Sequence, residues 1–93
     1  MTAQVRILLH AMFKETAGKG EFFHELGSGL TLKVLLDELA RRYGKDFKQI
    51  LNSKTGMIET DTLVMLNGQS MRKPDVQLKD GDVVMITVPI GGG

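Results

Sequence analysis

The sequence contains no cysteine, which removes disulfide staples, thiolate zinc sites, iron–sulfur clusters and a cysteine nucleophile together. It has almost no excess charge of one sign. Twelve Lys and Arg stand against eleven Asp and Glu, a formal charge of +1. Nucleic-acid and anionic-membrane partners usually show as basic bias, so neither is expected. Long hydrophobic runs are also missing: Val83–Thr87 is far too short to span a bilayer. The opening Met1-Thr2-Ala3-Gln4 lacks the charged and apolar regions of a secretory signal. A soluble cytoplasmic protein is the expectation. Ninety-three residues, 42% apolar and 25% charged, fit one small globular domain.

What is present follows two periods. Val5, Ile7 and Leu9 alternate with Arg6, Leu8 and His10, the pattern of a strand with one buried face. Met12–Gly20, with two glycines and three charges, reads as a connection, and Glu21–Leu26 as a second strand forming a hairpin with the first. Thr31 stands where a helix N-cap belongs. Leu32, Leu35, Leu36, Leu39 and Tyr43 follow at helical spacing, and Gly44 lies just past the end. Phe47, Ile50 and Leu51 suggest further helical turns, Asn52–Gly56 a turn, and Met57–Ile58 a short strand. Leu63–Leu66 is a strand running into the tight-turn signal Asn67-Gly68. Asp80-Gly81 turns into a last strand, Asp82–Val88, closed by Pro89.

Strands before and after one good helix predict an α+β fold, a mixed sheet with the helix across one face and the last strand beside the first. Such a β-grasp arrangement buries Val5, Ile7, Leu9, Leu32, Leu35, Leu39, Val64, Leu66, Val84, Ile86 and Val88 together. The β-grasp domain is expected over residues 1–89, with a flexible glycine tail over residues 90–93.

The usual catalytic constellations are absent. There is no G-x-S-x-G elbow, and Gly18-Lys19-Gly20 lacks the rest of a phosphate loop. His10 and His24 sit on separate strands, as possible neighbours across the hairpin, but two imidazoles without a third ligand make a poor metal site. No metal is expected, and exposed strand positions are the better reading. Asp37/Glu38 falls on the solvated side of the helix and Asp80/Asp82 frames a turn. The basic run Arg41, Arg42, Lys45 and Lys48 suits a helix C-terminus and needs no ligand.

That leaves Pro89-Ile90-Gly91-Gly92-Gly93. Glycines at a terminus often only fray, but here a strand leads almost directly into three of them. Four extended residues reach at most about 14 Å, enough to pass a terminal carboxylate through a narrow channel into another protein's active site. Glycine suits the thread because it lacks Cβ, and Pro89 sets the direction of exit through its fixed φ. A carboxylate is a poor electrophile, so activation by a second enzyme is required, most simply as an acyl-adenylate.

Three stretches, taken in order, resemble the MoaD/ThiS family of ubiquitin-like sulfur carriers. Val5–Ala11 followed by Lys14-Glu15 and Gly18 resembles the family's first strand and its A-x-x-(R/K)-E-x-x-G continuation. Leu78-Lys79-Asp80-Gly81-Asp82-Val83-Val84 resembles its L-x-D-G-D-E-V turn, and Pro89–Gly93 its P-V-x-G-G end. The fit is closer to MoaD, the molybdopterin synthase small subunit, than to ThiS. Two departures stand out: the family's aromatic positions in the first and last strands hold His10, Met85, Ile86 and Thr87, and Lys45–Asp61 is longer than in compact members.

The resemblance implies that an adenylating enzyme of the ubiquitin-activating type (MoeB-like) uses ATP to activate the Gly93 carboxylate, the chain itself binding no cofactor. A sulfur donor then displaces AMP, and the thiocarboxylate delivers sulfur to a molybdopterin precursor held by a MoaE-like large subunit. Gly91, Gly92 and Gly93 are the threading residues. The docking surface is expected on the outward sheet face at Leu8, His10, Leu63, Met65, Met85 and Thr87, continuing through Pro89 and Ile90, because an exposed apolar patch usually marks an interface and methionine adapts to more than one partner. The competing arrangement is a sheet face covered by Lys45–Asp61. The chain is a carrier without catalytic side chains of its own. Other readings remain: a ubiquitin-like modifier joined through Gly93 to target lysines, a sulfur carrier for tRNA thiolation or thiamine synthesis, or a β-grasp interaction module with an inert tail.

Overall fold

A computed structural model describes residues 3–89. Its centre is β1 (Gln4–Leu9), whose alternation places Val5, Ile7 and Leu9 in the core at 0–1% exposure while Arg6 is exposed and Leu8 half-buried. On one side β1 pairs antiparallel with β2 (Glu21–Glu25); on the other it pairs in parallel with β5 (Val83–Thr87). Next to β5 run β3 (Leu63–Leu66) and the two-residue edge strand β4 (Gln69–Ser70), giving the order β2-β1-β5-β3-β4. This is the α+β, β-grasp architecture expected from the sequence.

The helix expected after Thr31 is α2, Leu32–Tyr43. Thr31 Oγ1 accepts the Val34 N–H at 3.2 Å, satisfying one of the orphan donors of the first turn. Leu32, Leu35, Leu36 and Leu39 are buried and join Val5, Ile7, Val64, Val84 and Ile86 in one cluster. Each such side chain contributes about 1.5–3 kcal/mol when fully buried. The start of α2 is docked as well: Leu32 N–H donates to Val76 O, and Leu78 N–H to Leu30 O.

Two loops set the position of β5. Asn67 and Gly68 both take positive φ (51° and 86°), the tight hairpin turn that Asn-Gly favours. The Asn67 amide also reaches across the sheet, accepting the Val83 N–H at 2.8 Å and donating to Asp82 Oδ1 at 2.9 Å. At the other turn, Asp80 Oδ1 accepts the Gln4 N–H and Gly81 N–H donates to Gln4 O. The first residues of β5 are thereby tied to both β1 and β3, so its direction and register are set before it reaches Thr87.

Several expectations need correction. Met12–Gly20 is not simply a connection: Ala11–Ala17 forms a helix, α1, which buries Phe13 and ends at the left-handed Gly18. Seven residues with one fully buried apolar side chain show too few periods to be read as a helix. Because α1 intervenes, β1 and β2 pair antiparallel without being a tight hairpin. The core also recruits Phe13, Leu30, Leu36, Phe47, Ile50, Ile58 and Leu78, whereas Leu66 and Val88 are only half-buried against it. Lys45–Gln49 forms a 3-10 helix, and Met57–Ile58 contributes a single bridge, Leu51 to Ile58, instead of a strand. This segment sends Phe47 inward against Phe13 and Tyr43, so the expected alternative of a segment laid over the outward sheet face is not what forms.

Candidate functional site

Register decides which side chains share the outward face. Leu8 is opposite Met85 on β5, and Met85 is opposite Met65 on β3, so the three form one row across adjacent strands. Neighbouring strands lie about 4.8 Å apart, which makes this row a continuous apolar strip. Leu63 and Thr87 are paired one step closer to the C-terminal end of β5. All five are half-buried. His10 follows β1 to that same end: it is exposed, stands at the N-cap of α1, and donates its backbone N–H to Ile86 O at 3.1 Å. Pro89 is exposed just beyond β5. Of the residues expected to meet partners, those from Leu8 to Pro89 therefore gather on one face and at one end of it, while Ile90, Gly91, Gly92 and Gly93 lie outside the described residues.

The face extends further than the sequence reading placed it. Arg6 is opposite both Val83 and Phe23 in the register, which brings a 59% exposed Phe23 onto the same side. Arg6 forms an ion pair with Glu21 there, exposed enough to add little stability. Of the adjacent Phe22 and Phe23, alternation puts one on each face, and only the pairing of Arg6 with Phe23 says which is outward.

The histidines are not neighbours. His24 is opposite Val5, five positions back along β1 from His10, roughly 16 Å at strand rise. His24 turns to the helix side, where its Nε2 meets Glu38 Oε2 at 2.7 Å, both groups part-buried. Glu38 is thus not merely a solvated helix residue, as expected, and His24 is not an exposed strand position. Among the described residues no group of three or more His, Cys, Asp or Glu side chains is placed to hold a metal ion, and no helix is long and apolar enough to cross a membrane.

An apolar strip on a rigid sheet, with the chain leaving its end at Pro89, supplies neither a nucleophile nor an acid–base pair. A polar groove of about 600 Å³ between Lys48 and Asp61 includes none of these residues.

The sequence matches the model of the ThiS family over residues 7–93, from β1 through the glycines. The chain belongs to the ThiS family. Solved structures agree in shape. A protein from Pyrococcus furiosus, provisionally designated molybdopterin converting factor subunit 1, is 27% identical with a TM-score of 0.77, covering 96% of this chain and 100% of that one. Small archaeal modifier protein 1 from Methanosarcina acetivorans is 23% identical with a TM-score of 0.73, covering 100% and 99%. A chain of the BexX/CysO complex of Amycolatopsis orientalis is 18% identical with a TM-score of 0.68, covering 96% and 99%. The last two likenesses are of fold alone. No curated protein matches the sequence. The ThiS-family chain is accordingly a β-grasp protein of the ThiS/MoaD sulfur-carrier family, the resemblance read from its three motifs.

Proposed function

We propose that the chain is a sulfur carrier whose reactive group is the Gly93 carboxylate, acting in molybdopterin biosynthesis in the cytoplasm. The observation that carries this reading is the extent of the family match, which runs past β5 and through Gly93. An adenylating enzyme of the ubiquitin-activating type supplies ATP. A carboxylate oxygen attacks the α-phosphorus, pyrophosphate leaves, and an acyl-adenylate results. Sulfide from a donor then displaces AMP and leaves a thiocarboxylate. The sheet face at Leu8, Met65 and Met85 docks the activating enzyme and, in turn, a MoaE-like large subunit, with His10, Leu63, Thr87 and Pro89 at its rim, and Ile90, Gly91, Gly92 and Gly93 are the residues this reading sends into the partner's active site. The molybdopterin assignment leans on the likeness to the Pyrococcus furiosus protein.

Conjugation through Gly93 to lysines of other proteins is the second reading. It is favoured by the likeness to a protein named as a modifier, which shares the fold, and it uses the same activated carboxylate. The two separate by mass. After incubation with the adenylating enzyme, ATP and a sulfur source, the C-terminal peptide of a carrier has one oxygen replaced by sulfur, and the thiocarboxylate is consumed when the large subunit and the precursor are added. Protein isolated from its own cells as higher-mass lysine conjugates, with no thiocarboxylate form, overturns the carrier reading.

A further inference from the structure

β2 is an edge strand, and its free side can be read from the ladder. Leu9 N–H donates to Gly20 O and Leu26 N–H to Ala3 O, both at 2.8 Å. Hydrogen-bonded and non-hydrogen-bonded pairs alternate in an antiparallel ladder. Phe22 and His24 therefore turn their backbone groups toward β1, while Glu21, Phe23 and Glu25 turn theirs outward, where nothing among the described residues pairs with them. Most proteins blunt such an edge; this one puts Phe23, the most exposed large apolar side chain among the described residues, in the middle of it. On the helix side the edge borders a groove of about 510 Å³ lined by His24, Glu38, Leu39, Arg41 and Arg42.

We propose that this edge accepts an extended segment of a partner protein as an added strand, a segment with Lys or Arg on either side of an apolar residue. The charges select it. Side chains of an added strand alternate between the two faces, so those on the outward face meet Glu21, Phe23 and Glu25 in succession. Glu25 has no ion-pair partner among the described residues, and Glu21 shares its charge with Arg6 at the surface. The intervening side chain beside His24 faces the groove, where Arg41 and Arg42 suit an acidic group. A second copy of this chain is a poor occupant: antiparallel pairing centred on Phe23 sets Glu21 directly opposite Glu25 of the copy, and like charges so placed are destabilising. The edge is independent of the Gly93 reading, since strand addition needs no activated carboxylate.

The test is titration of the ¹⁵N-labelled full chain with the end-blocked peptide Lys-Glu-Val-Val-Lys, followed amide by amide. Shifts and slowed hydrogen exchange at Glu21, Phe23 and Glu25 are expected. Phe23→Pro removes the outward N–H and leaves the β1 ladder intact, so it should abolish these changes. Should that variant fail to fold, Glu25→Lys serves: it weakens the basic peptide roughly two- to fivefold and strengthens a peptide flanked by Glu instead. Three results overturn the proposal: amides of β2 unmoved by the peptide, shifts centred on Leu8, Met65 and Met85, or changes in β2 that track protein concentration with no peptide present.

Discussion

The rings of Phe13 and Phe47 meet edge to face with centroids 5.3 Å apart, joining α1 to the 3-10 helix at a point where both side chains are 1% exposed. Such a pair adds about 0.5–1.5 kcal/mol beyond the area it buries. Phe13→Ala should cost about 3–5 kcal/mol in chemical denaturation, a large share of the stability of a domain this size. Met12→Ala next to it removes a 39% exposed side chain and should stay within about 0.5 kcal/mol. Equal losses in the two variants would mean that α1 is not anchored through Phe13.

That pair also marks where legibility ended. Helix α2 could be read because four leucines repeat at its period and Thr31 and Gly44 bracket them. The last strand beside the first was legible in the pattern of strands flanking one helix, whereas the two-residue edge strand β4 was not. Helix α1 could not be read, because the burial of Phe13 is explained by Phe47, a partner distant in sequence that no local pattern identifies. The same holds for His24 and Glu38, which look like exposed polar residues until β2 and α2 are packed together. On the outward face, Leu8, Met65 and Met85 were legible from alternation alone. Phe23 was not, since a one-residue change of register sends a strand residue to the other face, and only the pairing with Arg6 settles it.

The cap of α2 is a second test. Thr31 Oγ1 accepts from Val34 N–H, and its loss leaves that donor to water. Thr31→Ala should lower stability by about 1 kcal/mol, while Thr31→Ser should hold most of it. Thermal unfolding of the three proteins side by side checks this. An unchanged midpoint in Thr31→Ala would show that the backbone contacts of Leu32 and Leu78 hold the helix start alone.

Asn67 combines a positive φ with two cross-sheet hydrogen bonds, and two substitutions separate those roles. Asn67→Gly keeps the backbone conformation and loses the bonds, at roughly 1 kcal/mol. Asn67→Ala loses both and should cost about 1–2 kcal/mol more, the strain of a left-handed alanine. Hydrogen exchange at the Val83 amide should rise in both, since its acceptor is gone.

The sheet face predicts a separation of stability from activity. Met85 stands between Leu8 and Met65 and is half-buried on the outward side. Met85→Glu puts a charge at the centre of the apolar strip and should lower kcat/KM for adenylation at least roughly tenfold, the size expected for a central interface residue. Met12→Glu, on α1 and away from this row, should leave the rate unchanged. If Met85→Glu is activated at the normal rate, the enzyme docks elsewhere.

The glycine segment gives the sharpest contrast between fold and function. The described core is complete within residues 3–89, so deleting Gly92 and Gly93 should not move the unfolding midpoint. Yet it should abolish thiocarboxylate formation, because the carboxylate then falls short of the activating site by two residues, up to about 7 Å of extended chain. Adding one residue after Gly93 should abolish it equally, by moving the carboxylate off the diglycine. Gly92→Val is subtler. It preserves length and terminus but adds a branched side chain to the proposed thread, where glycine has none, so a lowered kcat with the fold intact is expected. A normal thiocarboxylate yield from the deleted chain would place the reactive group somewhere other than Gly93.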